Sequence, residues 1–380
     1  MKYLSLLLLV TLLLSGCRQS AETAVSEEPT IPPVTTAVQT VPPTTEAPDP
    51  LELILQSMSL EARVGQLFLA RCNASTALED IEKYQLGGFV LFGADFENQT
   101  PESMTAVLSS YQASSRIPLL IAVDEEGGTV TRVSRYSQYR SSPFESPRSL
   151  YDRGGLELVL ETEAEKCRLL SSLGINVNLG PVCDISTTPG SFMYQRSLGR
   201  DADTTAVFAS EMVRLMEQHS IGSVLKHFPG YGNNVDTHTA IATDSRSLEE
   251  LKEQDLIPFR EGSHTGADAI MVSHTLVEAL DGQYPATLSP SVHRYLRDEL
   301  CFQGIIITDD LAMGAITQQY GAGEAAVLAV LAGNDMLCST EYAVQYEAVL
   351  EAVLTGRIDY YTLTDAVRRI LHWKQELGLI

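Results

Sequence analysis

The chain predicts an α/β protein built as a (β/α)8 TIM barrel, on three observations. Eight short, nearly continuous apolar runs alternate with amphipathic helical stretches. The repeat fills roughly 330 residues, the size of one such barrel. Polar residues collect at one end of the runs. Asp124, Asp184, His227, His274 and Asp309 each lie at or just past a C-terminal end, where barrels of this kind carry their chemistry.

The runs are Gln66–Ala70, Gly88–Phe92, Leu119–Asp124, Asn176–Val182, Ser223–His227, Ala269–His274, Ile305–Asp309 and Asp335–Cys338. Strands this uniformly apolar suit a parallel sheet covered on both faces. Between them, Leu156–Leu173, Thr204–His219, Leu248–Gly262 and Ser291–Leu300 have helical spacing of apolar residues. Leu363–Leu379 reads as a closing helix, with Leu363, Ala366, Val367, Ile370, Leu371 and Trp373 mostly in helical register. From Phe228 to about Asp244 there is no helix or strand pattern. Pro229, Gly230, Gly232, Asn233 and Asn234 are turn formers, and a loop this long in a compact barrel is usually functional or disordered.

The N-terminus stands apart from the repeat. Lys2, the apolar run Leu4–Leu14 and the small residues Ser15 and Gly16 form a secretory signal pattern, too short for a permanent membrane span. Leu14-Ser15-Gly16-Cys17 resembles a bacterial lipobox, in which cleavage leaves Cys17 as a lipid-modified first residue. From Arg18 to about Pro50 the chain is rich in Thr, Pro, Ala and Glu without apolar periodicity, the composition of a disordered tether. The expected organisation is a lipoprotein signal peptide at 1–16, lipidated Cys17 and linker at 17–50, and a single catalytic barrel domain at 51–380. The expected location is the extracytoplasmic face of the cell membrane, held by the lipid anchor.

The net charge of −23 argues against nucleic acid as a partner and against adsorption to anionic lipid. Cys72, Cys167, Cys183, Cys301 and Cys338 lack metal-ligand spacing and read as buried small hydrophobes. No metal, no organic cofactor and no obligate protein partner is implied.

Three segments carry candidate chemistry. The first is Lys226-His227-Phe228-Pro229-Gly230-Tyr231-Gly232, followed by Asp236-Thr237-His238. An Asp two residues before a His can accept a hydrogen bond from the ring, fix its tautomer and favour the imidazolium. Such a His can protonate a leaving oxygen, a step worth about 10²–10⁴ in rate; a solvated pair is the plain alternative. The second is Gly304-Ile305-Ile306-Ile307-Thr308-Asp309-Asp310-Leu311-Ala312-Met313-Gly314. Ile305, Ile307 and Asp309 share one strand face, and Ile306, Thr308 and Asp310 the other. One aspartate should face the barrel axis and the other turn outward, and alternation alone does not say which. The third is Val123-Asp124-Glu125-Glu126-Gly127-Gly128-Thr129-Val130-Thr131-Arg132, whose glycines let backbone approach a ligand. Asp124 and Arg132 suit sugar hydroxyls, with a structural salt bridge as the competing reading.

In this order the three segments resemble glycoside hydrolase family 3, in its β-N-acetylhexosaminidase branch. The resemblance runs from Leu51 to the C-terminus. It takes in Gly87-Gly88-Phe89-Val90-Leu91-Phe92, Asn178-Leu179-Gly180-Pro181-Val182-Cys183-Asp184, Arg196-Ser197-Leu198-Gly199, Pro285-Ala286-Thr287-Leu288-Ser289 and Ala332-Gly333-Asn334-Asp335-Met336-Leu337. It implies Asp309 as the nucleophile of a retaining reaction, His238 as general acid/base and Asp236 as its partner. Asp124, Arg132, Arg196, Lys226 and His227 would bind hydroxyls of the terminal sugar. Asp310 would be structural, and His274 a satisfied polar residue at the barrel rim. The implied substrate is an amino-sugar glycan or muropeptide.

Tyr231, Thr237, Thr129 and Tyr295 depart from the family's commoner His, Ser, Arg and aliphatic residues, outside the implied catalytic set. Two competing readings stay within the family: a β-glycosidase of other sugar specificity, or a glycoside phosphorylase. Relatives of other specificity usually draw their acid/base from a second domain, whereas here Asp236 and His238 would supply it. A lipid-anchored solute-binding protein is the alternative from another class.

Overall fold

The computed structural model describes residues 49–232 and 241–380. The signal pattern, Cys17 and the tether up to residue 48 lie outside the described residues, as do Asp236, Thr237 and His238.

Eight parallel strands form the barrel: β1 (Phe68–Arg71), β2 (Gly88–Leu91), β3 (Leu120–Val123), β4 (Val177–Asn178), β5 (Gly222–Phe228), β6 (Ala269–Val272), β7 (Ile305–Thr308) and β8 (Leu337–Ser339). Their order around the sheet is β8-β1-β2-β3-β4-β5-β6-β7. The ring closes between β7 and β8, where Ile307 bridges Met336 and the amide of Thr308 donates to the Met336 carbonyl at 3.1 Å. Each expected run overlaps one strand. Gln66 instead ends the helix Leu60–Gln66, whose N-cap Ser59 accepts from the amide of Ala62. β4 is only two residues long, and just past it the Gly180 amide turns back to the Asn178 carbonyl at 2.8 Å.

Side chains alternate across each strand. Leu69, Val90, Leu120, Ala122, Val177, Val224, Ala269, Met271, Ile305, Ile307 and Met336 form one buried cluster inside the barrel. Phe68, Phe89, Ile121 and Val123 face outward into the layer shared with the helices, as do Leu225, Ile270, Val272 and Ile306 on the other side. The last helix, Tyr360–Glu376, adds Ile370 and Trp373 to the inner cluster and plugs the end opposite the strand C-termini.

The other expected helices exist with shifted ends. The stretch 156–173 is the exception: it is the second of two helices within Pro147–Leu173, set off by the non-helical Gly154 and Gly155 and stopped at Leu173 by left-handed Gly174. Thr204–His219 becomes Ala202–Gln218. The stretch 248–262 divides into Leu248–Glu253 and Leu256–Thr265, and 291–300 into Pro290–Arg294 and a wider turn over Tyr295–Glu299. A small parallel ribbon, Thr243–Asp244 with Leu276–Val277, lies outside the barrel sheet and gives the 228–244 connection a strand at its end. Four of the five described cysteines are buried; Cys301 is exposed, contrary to expectation, at a turn with φ of 52°.

Candidate active site

Strand parity brings the polar residues together. On β3, Leu120 and Ala122 point inward, so Asp124 follows them into the barrel mouth. On β5, Val224 does the same for Lys226, and on β7, Ile305 and Ile307 do so for Asp309. His227 is out of step with this alternation. It reaches the mouth because β5 shifts register against β6 between Lys226 and Phe228, placing one extra residue on β5. All four line a cavity of about 750 Å³ with Arg71, Phe92, Thr129, Arg132, Phe192, Gln195, Arg196, Asp310, Met313, Cys338 and Thr340.

A connected chain of charged and polar side chains crosses the floor. Lys226 Nζ donates to Asp124 Oδ1 at 2.6 Å and lies 2.7 Å from Glu126 Oε1. Arg196 clamps the same Glu126 through two bonds, Nη2–Oε1 at 2.6 Å and Nε–Oε2 at 2.9 Å. Arg196 Nη2 lies 3.3 Å from His227 Nε2, and His227 Nδ1 is 2.8 Å from Asp184 Oδ2. Asp184 also accepts from the amides of His227 and Tyr231, which fixes the turn after β5. Burial pushes the Glu126 carboxyl up, but Lys226 and Arg196 overcome it and hold Glu126 well below the usual carboxylate range. Burial opposes the charge on Lys226, yet Asp124 and Glu126 raise its pKa above the ordinary value.

The loop after β3 is built around Glu125. This buried carboxylate accepts from the amides of Arg132 and Val133, both at 2.7 Å, and from the hydroxyl of Ser134. Gly127 and Gly128 make the turn with φ of 99° and 62°. Arg132 is thereby presented at the rim, its guanidinium 5.7 Å from the centre of the Phe92 ring. Asp124 pairs with Lys226 and not with Arg132, so the salt bridge weighed within this segment does not form.

Asp309 follows β7, with its amide donating to the Val272 carbonyl at 3.1 Å. Burial raises its pKa, but His274, His227, the Asp310 amide and Lys226 prevail and keep it below the ordinary aspartate value. Asp310 also borders the cavity, so the two aspartates do not simply point to opposite sides. Its carboxylate accepts from the amides of Ala312 and Thr340 and from the Thr340 hydroxyl, tying the β7 loop to the β8 loop. His274 is fully buried, with Nδ1 2.9 Å from Thr287 Oγ1 and Nε2 3.0 Å from the Asp310 carbonyl. It belongs to the interior under the loops and not to the rim. Asp236 and His238 lie outside the described residues, so their position relative to Asp309 is not part of this geometry.

Glu126 and Asp184 had no role from sequence reasoning. Both stand within the motifs that drew attention, and Asp184 shares the strand-end bias of the other polar residues. Their partners are remote in sequence, 70 residues away for Glu126–Arg196 and 43 for Asp184–His227.

Residues 59–373 match the family model for the glycosyl hydrolase family 3 N-terminal domain. Among curated relatives, the chain is 32% identical over 304 residues to a beta-hexosaminidase of Nitrosomonas eutropha, covering 76% of this chain and 86% of that protein. It is 30% identical over 329 residues to beta-hexosaminidase A of Pseudoalteromonas piscicida, covering 79% of this chain and 55% of that one. Among solved structures, a family 3 beta-N-acetylglucosaminidase from Paenibacillus sp. FPU-7 superposes with a TM-score of 0.80 at 34% identity, over 85% of this chain and 63% of that one. The chain therefore spans less than two thirds of the Pseudoalteromonas and Paenibacillus proteins. The eight-stranded barrel, the polar mouth and these matches lead to one conclusion: the chain belongs to glycoside hydrolase family 3.

Proposed function

We propose that the protein is a retaining, exo-acting β-N-acetylhexosaminidase that releases terminal β-linked N-acetylglucosamine. The carrying observation is Asp309, ionised at the end of β7 and facing a cavity floored by Lys226, Glu126, Arg196 and His227. In this reading an Asp309 carboxylate oxygen attacks the anomeric carbon. The bond from that carbon to the leaving oxygen breaks as His238, partnered by Asp236, donates a proton to that oxygen. Water then gives its proton back to His238 and displaces Asp309, and the sugar leaves with its original β configuration. Asp124, Arg132, Arg196, Lys226 and His227 bind the sugar's hydroxyls. The beta-hexosaminidase names of two relatives and the beta-N-acetylglucosaminidase of Paenibacillus support the amino-sugar specificity. Cys17, as the lipid-modified residue, would hold the enzyme at the extracytoplasmic face of the membrane. There, terminal N-acetylglucosamine of peptidoglycan fragments is the natural substrate we favour.

The test is turnover of a chromogenic β-N-acetylglucosaminide by the wild type and by Asp309→Ala. The variant should fold and lose at least about 10³-fold in kcat. Activity within tenfold of wild type would refute the assignment of the nucleophile.

A further inference from the structure

We propose that His274 is a positioning residue bearing a fixed positive charge, which anchors the β7 loop through the Asp310 carbonyl and keeps the adjoining Asp309 carboxylate ionised for attack. The inference rests on the reading of Asp309 as nucleophile and adds a residue to it.

The available hydrogens fix the charge of the ring. The Thr287 hydroxyl has one proton, and Thr287 Oγ1 already lies 2.6 Å from the Ser273 carbonyl and 2.9 Å from the Val272 carbonyl. Toward His274 it therefore acts as an acceptor, and Nδ1, at 2.9 Å, must carry a hydrogen. The Asp310 carbonyl can only accept, so Nε2, at 3.0 Å, must carry one too. A ring protonated on both nitrogens is an imidazolium. Thr287 is itself held, since Asn334 Nδ2 donates to its backbone carbonyl at 2.8 Å. The ring is therefore clamped on both sides.

A buried imidazolium is costly without an anion nearby, and the adjoining Asp309 supplies one. Among the described residues, the charged and titratable neighbours around Asp309 are Lys226 and His227 from β5, Asp310 on its own loop, and Asp124 from β3, with the Cys338 thiol of β8 kept protonated by burial. Lys226 is already engaged by Asp124 and Glu126, and His227 by Asp184. His274 is bonded directly to the carbonyl of the residue that follows the nucleophile.

The first experiment uses the wild-type protein alone. Ring ¹⁵N shifts of His274, assigned by their loss in His274→Gln, should report both nitrogens protonated at neutral pH. A neutral single tautomer there would overturn the proposal. The second compares pH profiles of kcat/KM. His274→Gln keeps a donor for the Asp310 carbonyl but removes the charge. Its acid limb should move to higher pH, and kcat should fall by roughly 10- to 100-fold, the scale of a misplaced reacting group, while KM changes little. An unmoved acid limb with kcat within twofold of wild type would overturn it as well. If His274→Gln does not fold, Asp309→Asn serves in its place: loss of the anion should make the His274 ring deprotonate at lower pH, and an unchanged titration would refute the coupling. Substantial turnover by Asp309→Ala would instead refute the nucleophile and leave the ring's charge established by the first measurement.

Discussion

Glu126→Gln tests whether one buried carboxylate organises the charged floor of the cavity. Side-chain exposure is 2% for Glu126, 1% for Lys226 and 14% for Arg196. The substitution leaves both cations buried. Lys226 keeps Asp124, but Arg196 loses both of its carboxylate bonds. Breaking a buried pair by removing one partner costs about 3–5 kcal/mol. Unfolding entropy of ~2.1 cal/mol/K per residue over roughly 330 residues gives ~0.7 kcal/mol/K, so Tm should fall by about 4–7 °C. The amide can still accept one bond, which favours the lower half of that range. The pH dependence has a definite sign. A carboxyl held below its ordinary value stabilises the fold fully above its unfolded pKa of about 4.3 and loses that contribution as pH falls toward the folded value. The stability gap between wild type and Glu126→Gln should therefore be flat from about pH 6 to 8 and narrow in more acidic solution. Calorimetry across that range is the assay. A variant that melts within about 1 °C of wild type, or a gap that widens on acidification, would refute the reasoning.

Two further outcomes follow from the same structure. A Cβ on Gly127 would lie 2.2 Å from the Glu145 carbonyl, at a φ of 99°. Gly127→Ala should cost about 1–3 kcal/mol and also raise KM by displacing Arg132, and wild-type melting and kinetics would contradict this. Lys374 is fully buried on the closing helix, with Nζ donating to Gln66 Oε1 at 2.7 Å, and burial pushes its pKa down to about 7. The unfolded chain then binds the extra proton between about pH 7 and 10, so wild-type stability should rise with pH across that window. Lys374→Met should flatten the rise and gain up to roughly 4 kcal/mol at neutral pH, unless the abandoned Gln66 oxygen offsets it. Denaturant unfolding at pH 7 and pH 9 checks both.

The barrel was legible because its strands are apolar on both faces, and two-residue alternation carries that signal into the site. Ile305 and Ile307 inside the barrel predict that Asp309 is inside too, and Val224 does the same for Lys226. The pattern left open which face was inner, because Ile306 is as apolar as its neighbours; only the closed ring separates the inner cluster from the outer layer. His227 breaks the parity through a register shift that no residue type announces. Helix ends moved where capping overrode periodicity, as at Asp201, which accepts from the Thr204 amide and starts its helix at Ala202, ahead of the apolar pattern. The placement of Cys301 failed because a cysteine's burial depends on the turn it occupies, and this one sits outside the packed layers.

The route Asp124–Lys226–Glu126–Arg196–His227–Asp184 explains why an acidic chain can present several cations at one mouth. Each positive group sits between or beside negative ones, so none bears an uncompensated burial penalty. Residues from β3 and its loop, from the 196 segment and from the ends of β4 and β5 interlock, which keeps donors aimed at the cavity before any ligand arrives. Asp309 stands outside this chain. Its carboxylate accepts from the Asp310 amide at 2.8 Å and otherwise lies in the field of His274, His227 and Lys226. A carboxylate that forms no salt bridge among the described residues, and is held ionised by nearby charge, keeps lone pairs available for an incoming carbon. That division between locked charges and a lightly held carboxylate suits the reaction proposed above.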